Sequence, residues 1–238
     1  MRRSRSDSRL IDACRQSGCP VCRCIEEDGR RHVDALLHEL VTDHKTRTSL
    51  RASWGFCAVH GAMTLATPGA RTGVAILHAD VIRTVAERIR RAQRAAVRPG
   101  RGDWRRRMAT ALFSGGRNRR DAGRGTRATC LVCESTAHAE ERYFRTLDLV
   151  GGDDTVTRAY DASDGLCLPH LHRAMGRGRT TTALVERTLC KWDELATLLD
   201  DFVRKHEYRS TDAFTESEAR ACERAVETLS GRPGWEKR

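Results

Sequence analysis

Aromatic side chains are scarce in this chain. Four Trp, three Tyr and five Phe are 5% of its 238 residues, and all hydrophobic residues together are 39%. The apolar core is therefore thin for the length, and packing alone has little with which to hold it. No run is long and apolar enough to cross a membrane. The start, Met1-Arg-Arg-Ser-Arg-Ser-Asp-Ser-Arg and then Ile11-Asp-Ala-Cys, lacks the apolar centre of a secretion signal. The expectation is a cytoplasmic protein. Glycine-rich phosphate loops, the Gly-x-Ser-x-Gly elbow and the dinucleotide fingerprint are all missing, and the Gly-Gly pairs that begin at 115 and 151 stand alone. No catalytic residue is identified, and an enzyme is not the expected reading. No segment alternates with period two, which leaves no candidate strand.

What the chain does have is cysteine, ten in all, which a reducing compartment keeps as thiols and ligands rather than disulfides. Six of them fall into a signature that occurs twice. Cys19-Pro-Val-Cys22 is followed by Gly55-Phe56-Cys57-Ala-Val-His60, and Cys130-Leu-Val-Cys133 by Gly165-Leu166-Cys167-Leu-Pro-His170. Between second and third cysteines lie 34 residues in the first copy and 33 in the second. A Cys-x2-Cys knuckle turns two sulfurs to one side, and Cys-x2-His at a helix start adds a sulfur and an imidazole nitrogen. Each copy thus offers a Cys3His set suited to tetrahedral Zn2+, giving two zinc sites on Cys19, Cys22, Cys57, His60 and on Cys130, Cys133, Cys167, His170. A closed four-ligand shell argues for structure over catalysis, since a zinc that activates water keeps an open position. An Fe–S cluster is the alternative, with Cys24 beside Cys19, Cys22 and Cys57 as its ligands. Cys14, Cys190 and Cys222 read as free thiols, and His172 as a possible competitor of His170.

Helical periodicity fills the intervals. Val33, Leu36, Leu37, Leu40 and Val41 share one stripe, and Tyr143, Phe144 and Leu147 form its counterpart behind a Glu140-Glu141 polar face. One helix is thereby expected between the ligand pairs of each copy. Beyond His60 the stripe Val74, Leu77, Val81, Val85, Ile89 marks another helix. Beyond His170 a longer one carries Leu184, Val185, Thr188, Trp192, Leu195, Leu199, Phe202 and Val203. Pro169 suits a first helical turn. Thr215 with Glu218 reads as the capping box of a final helix that stops near Gly231. The fold class is mostly α: two tandem knuckle-plus-helix repeats packed together, with a C-terminal helix. The expected divisions are a disordered basic start (1–13), a first repeat (14–90), an arginine-rich linker (91–128), a second repeat (129–209), and a helix with tail (210–238).

Basic charge is concentrated and almost all arginine, 39 against four lysines. Fourteen arginines lie between Arg88 and Arg127 against Asp103 and Asp121, so this stretch carries the whole +11 formal charge of the chain and the rest is close to neutral. Two readings of it stand. In one, Arg101, Arg105, Arg106, Arg107, Arg117, Arg119 and Arg120 attract phosphates and Trp104 stacks, giving non-specific nucleic-acid binding. In the other, GC-rich coding fills a solvated linker with arginine whether or not anything binds.

The two Cys-x2-Cys…Gly-Phe/Leu-Cys-x2-His units and the Lys205-His206-Glu207-Tyr208-Arg209 motif resemble an uncharacterised prokaryotic family known only as a domain of unknown function. The resemblance covers most of the chain outside the arginine-rich segment. It implies that the paired ligand sets and the Lys205–Arg209 end are family features, in soluble proteins with no established enzyme chemistry. From the residues themselves, Lys205–Arg209 reads as a helix C-terminus, where cations favour the dipole. The functional expectation is a zinc-stabilised binding or regulatory adaptor; the alternative is a redox or metal-responsive sensor.

Overall fold

The computed structural model describes residues 4–96, 128–206 and 213–231. Eleven helices and no strand occur among them, as the absence of period-two patterning requires. They are α1 Arg5–Cys14, α2 Pro20–His38, α3 His44–Ser53, α4 Ala58–Ala66, α5 Arg71–Ala96, α6 Leu131–Leu147, α7 Asp154–Asp161, α8 Leu168–Gly176, α9 Thr182–Lys205, α10 Glu216–Ala219 and α11 Ala221–Ser230. The order long, short, short, long occurs twice, as α2–α5 and α6–α9. Two helices, not one, separate the ligand pairs of each copy. The α2 stripe ends with Leu37, because the helix stops at His38 and leaves Leu40 exposed.

Ser4 and the residues of α1, most of them within the stretch expected to be disordered, form a capped helix. Ser4 accepts the Asp7 N–H and Asp7 caps the Ser4 N–H in return, so α1 begins with a capping box. Leu10 and Ala13 are buried on its inner face. Helix α5 continues to Ala96, past the expected start of the linker, with Arg91 and Arg94 paired to Glu87 on its surface. Linker residues 97–127, including Arg101, Trp104, Arg105, Arg106, Arg107, Arg117, Arg119 and Arg120, lie outside the described residues, as do Glu207, Tyr208 and Arg209.

The fold divides into two compact units, and the divisions fall inside α2 and α6 rather than at the arginine-rich segment. Unit 1 comprises Met1–Asp28 and Ala137–Arg238; unit 2 is Gly29–Thr136. In unit 1, Leu10, Val21, Ile25, Tyr143, Phe144, Leu147, Val156, Tyr160, Leu171 and Leu184 form one core. Asp28 joins α1 to α6 there, pairing with Arg9 and accepting the Tyr143 hydroxyl at 2.6 Å. In unit 2, Val33, Leu36, Leu37, Leu50, Leu77, Val81 and Val132 form the core. Asp80 on α5 holds Arg47 and Arg51 of α3, at 3.0 and 2.7 Å.

The C-terminal helix of the sequence reading is two helices, broken at Arg220. Its Thr215–Glu218 capping box is present, and Glu218 is only 5% exposed. The second Glu218 partner is Lys205 at 2.8 Å, the last residue of α9. His206 caps α9 and stacks between Phe202 and Phe214, at ring distances of 4.3 and 4.9 Å. The Lys205 hydrogen bond and the Thr215 N–H draw the Glu218 carboxyl from its ordinary 4.5 down to about 2. Its stabilising contribution is therefore complete above pH 4.5 and is lost as the pH falls towards 2. Acid titration of stability by circular dichroism should show this loss in the native chain, and Glu218→Gln should lack that segment of the curve.

Candidate metal centres

All four ligand pairs of the sequence signature use one local geometry. Cys19, Cys57, Cys130 and Cys167 each stand immediately before a helix, at the N-cap, and their partners Cys22, His60, Cys133 and His170 are the third helical residues. The carbonyl of each capping cysteine accepts the first helical bond, from Arg23, Gly61, Glu134 and Leu171. N-cap and third position lie on the same side of the first turn, as in a capping box. This is why two intervening residues suit a shared ion. A helix N-terminus also favours negative charge, so each thiolate sits at the positive end of a dipole.

The pairs combine across the copies. Unit 1 gathers Cys19, Cys22, Cys167 and His170; unit 2 gathers Cys57, His60, Cys130 and Cys133. Within each set the four ligand atoms lie within 4.8 Å of one another. The expected grouping within each copy is thus corrected. Helix length is consistent with this: the 16 residues from Cys22 to His38, at about 1.5 Å each, carry the chain roughly 24 Å away, and the ten-residue α3 by itself covers less than that. The cluster proposed on Cys19, Cys22, Cys24 and Cys57 is not assembled either. Cys24 is buried outside both sets, with its Sγ 3.7 Å from the Arg9 carbonyl, and burial pushes its thiol pKa up. His172 is exposed and belongs to neither set.

In unit 1, the Sγ atoms of Cys19, Cys22 and Cys167 are 3.5, 3.3 and 3.0 Å from His170 Nδ1, and Cys22 and Cys167 sulfurs are 3.7 Å apart. In unit 2, Cys57, Cys133 and Cys130 are 3.2, 3.3 and 3.7 Å from His60 Nδ1, with 3.6 Å between Cys57 and Cys133. Zinc bonds of about 2.3 Å to sulfur and 2.0 Å to nitrogen give tetrahedral edges of about 3.8 Å between sulfurs and 3.5 Å from sulfur to nitrogen. The donor sets fit that polyhedron.

The crowding of donors sets their charges. Hydrogen bonds from the Cys133 thiol and then His60, against the opposing effect of burial, hold Cys130 down to about 3, while Cys133 is pushed up by sharing its proton with Cys130. In unit 1, burial opposes ionisation of Cys19, yet the thiols of Cys167 and Cys22 and the His170 ring hold it well below the usual range. Cys22 is pushed up by its bonds to Cys167 and Cys19. Each set concentrates a thiolate among competing thiols, the arrangement a divalent ion resolves by taking all three as thiolates.

The loop that delivers Cys167 is fixed by Tyr160, which the sequence reading did not single out, and by Thr188 and Trp192, which it read only as part of a helical stripe. Tyr160, fully buried, accepts the Leu166 N–H at 3.1 Å and lies 2.5 Å from Thr188 Oγ1. Thr188 already donates to the Leu184 carbonyl, so Tyr160 donates to it. Trp192 Nε1 donates to the Leu166 carbonyl at 3.0 Å. Gly165 takes φ 81° with Lys191 against its Cα face, and Gly55 takes φ 89° at the matching turn, which explains glycine in both copies. Glu140 was missed as well. Read as part of a solvated polar face, it is 2% exposed, 3.4 Å from His170 Nε2 and 2.7 Å from Arg173. The signal for it was its place ten residues beyond Cys130, on the face that carries Tyr143 and Phe144.

Residues 8–234 match the sequence profile of a family of unknown function, DUF6062. The chain belongs to that family. No curated protein and no solved structure matches it. No helix among the described residues is long and apolar enough to cross a membrane.

Two outcomes follow from this geometry. Tyr160→Phe leaves the buried Leu166 N–H without its acceptor and should cost about 1–3 kcal/mol in denaturant unfolding. The crossed grouping fixes metal stoichiometry: Cys22→Ser with Cys167→Ser damages one set and should keep half the metal of the native chain, whereas Cys22→Ser with Cys57→Ser damages both and should keep none. Elemental analysis of the purified variants decides, and the reverse pattern would restore the within-copy grouping.

Proposed function

We propose that this chain is a zinc-stabilised helical binding or regulatory adaptor that holds one structural ion in each Cys3His set. The observation that carries the proposal is the pair of four-donor groups, each within 4.8 Å, with edges that suit a single tetrahedral ion. Fe–S clusters spread their cysteines over more than one iron and need room for sulfide between them; donors this close favour a mononuclear site. The thin aromatic content gives the ions a role, since a structural zinc contributes on the order of 10 kcal/mol of apparent folding free energy. In this reading, no position on the ion is open to substrate.

The adaptor's contact surface is assigned to the arginine-rich stretch between Arg88 and Arg127, with nucleic acid as the partner class. Charge density supports it: +12 within 40 residues, in a chain otherwise near neutral. Such binding is indifferent to sequence and weakens steeply with salt. The zinc reading is tested by elemental analysis with an absorbance spectrum, where two zinc ions and a colourless solution are expected and iron with sulfide overturns it. Removal of the ions by chelator should lower the melting temperature in a manner reversed by zinc. For the partner, Arg105→Ala, Arg106→Ala and Arg107→Ala together should flatten the salt dependence of retention on double-stranded DNA by about three phosphate contacts.

A further inference from the structure

The two sets share their donors and differ in everything behind them. We infer that the unit 1 set is a permanent site, whereas the unit 2 set is an exchangeable site for zinc-class divalent ions, through which the protein responds to metal supply. The inference rests on the metal reading proposed above and assigns distinct roles to its two ions.

The first difference is access. All four ligands of unit 1 are buried, with Cys167 at 1% and His170 at 0% exposure; in unit 2, Cys57 and Cys133 are both partly open to solvent. A competing ligand removes zinc by reaching the ion or a thiolate, so solvent-facing sulfurs set the rate.

The second difference lies behind the histidine. Ten residues beyond its first knuckle cysteine, the second copy has Glu140 and the first copy has Gly29. Three residues beyond its histidine, the second copy has Arg173 and the first has Met63. These positions meet in space. In unit 1, His170 turns Nδ1 to the sulfurs and Nε2 to the buried Glu140, which Arg173 neutralises. In unit 2, a Cβ on Gly29 would lie 3.6 Å from both His60 Nε2 and Met63 Sδ. A glycine and a thioether therefore stand where the other copy has a carboxylate and a guanidinium. A carboxylate behind a ligating imidazole fixes its tautomer and strengthens it as a donor, and losing one typically costs 10–100-fold in metal affinity.

The third difference is cover. In unit 1, Asp164 accepts the Gly18 N–H at 2.6 Å, immediately before Cys19, and pairs with Arg224 of α11 at 2.9 Å. The cavity that remains among Cys19, Asp164, Cys167 and Arg224 is about 10 Å³, room for about one water. The first copy has Trp54 at the position of Asp164, in a left-handed turn at φ 57°, and it supplies no carboxylate.

The experiment uses the full chain loaded with two equivalents of zinc and a chromogenic chelator in excess, with iodoacetamide footprinting of the cysteines by mass spectrometry during release. Two phases are expected, at least tenfold apart in rate. Cys57, Cys130 and Cys133 should be alkylated with the fast phase, and Cys19, Cys22 and Cys167 only with the slow one. Glu140→Gln should accelerate the slow phase 10–100-fold and leave the fast phase unchanged. If this variant does not fold, the footprint of the native chain decides alone. Release of both ions with one rate constant, or alkylation of Cys19, Cys22 and Cys167 first, overturns the inference and leaves the metal reading intact. A chain that takes up no zinc overturns the metal reading itself.

Discussion

Three sulfurs and an imidazole nitrogen lie within 4.8 Å of one another at the starts of two helices, and the sulfurs repel one another once ionised. The gathering of these donors at helix starts is the constraint on which the described structure depends. Helix α2 begins directly after Cys19 and α8 directly after Cys167, so a single set lies at the entry of two helices. Around unit 1 the packing follows from these starts. Tyr160, Trp192 and Thr188 hold the loop before Cys167, and Glu140 is drawn into the interior because His170 and Arg173 meet it there. A carboxylate that deep is costly unless it is paired, which makes it a consequence of the site.

Much of this was legible in the sequence. The eight candidate ligands, the all-helical class, the Pro169 first turn and the Thr215–Glu218 capping box each rest on local rules that act over three or four residues, and the described structure has that first turn and that cap where those rules put them. What local rules do not carry is which pair meets which. Cys22 and Cys167 are 145 residues apart, and Cys57 and Cys133 are 76; nothing within one turn of any of them encodes the partner. Helix length was the available clue, since α2 carries the chain farther from Cys22 than α3 by itself covers. Glu140 was misread for a related reason. An acidic residue beside a second one suggests a solvated face, and only the position of His170 turns it inward. Ser4 with Asp7 was a missed signal of a different kind: a capping box overlooked because the surrounding residues are charged.

The difference between the sets bears on how a duplicated motif can divide its work. Unit 1 has a histidine backed by a carboxylate and a small cavity beside α11. Unit 2 keeps the same donors with glycine and methionine behind them and two cysteines partly open. Affinity for an ion is set by donors and by what orients them, whereas exchange is set by who can reach them. Both quantities change in the same direction between the units, so the inequivalence does not depend on either alone.

Crossing the ligand pairs has a calculable cost. Loop-closure entropy grows as about 1.5 RT ln n. Closing 145 residues instead of about 35 therefore costs roughly 1.3 kcal/mol more in unit 1, and closing 76 costs roughly 0.7 kcal/mol more in unit 2. Against the roughly 10 kcal/mol that a structural zinc supplies, these are small terms, and they do not oppose the crossed arrangement. Its consequence is larger than its cost. A within-copy set would draw its donors from the first half of the chain alone; with the pairs crossed, Cys19 and Cys22 have no complete set until Cys167 and His170 are in place. The loop closed by the unit 2 set, from His60 to Cys130, contains the whole stretch from Arg88 to Arg127. In the reading proposed above, the two halves of that set therefore bracket the arginine-rich stretch in the sequence.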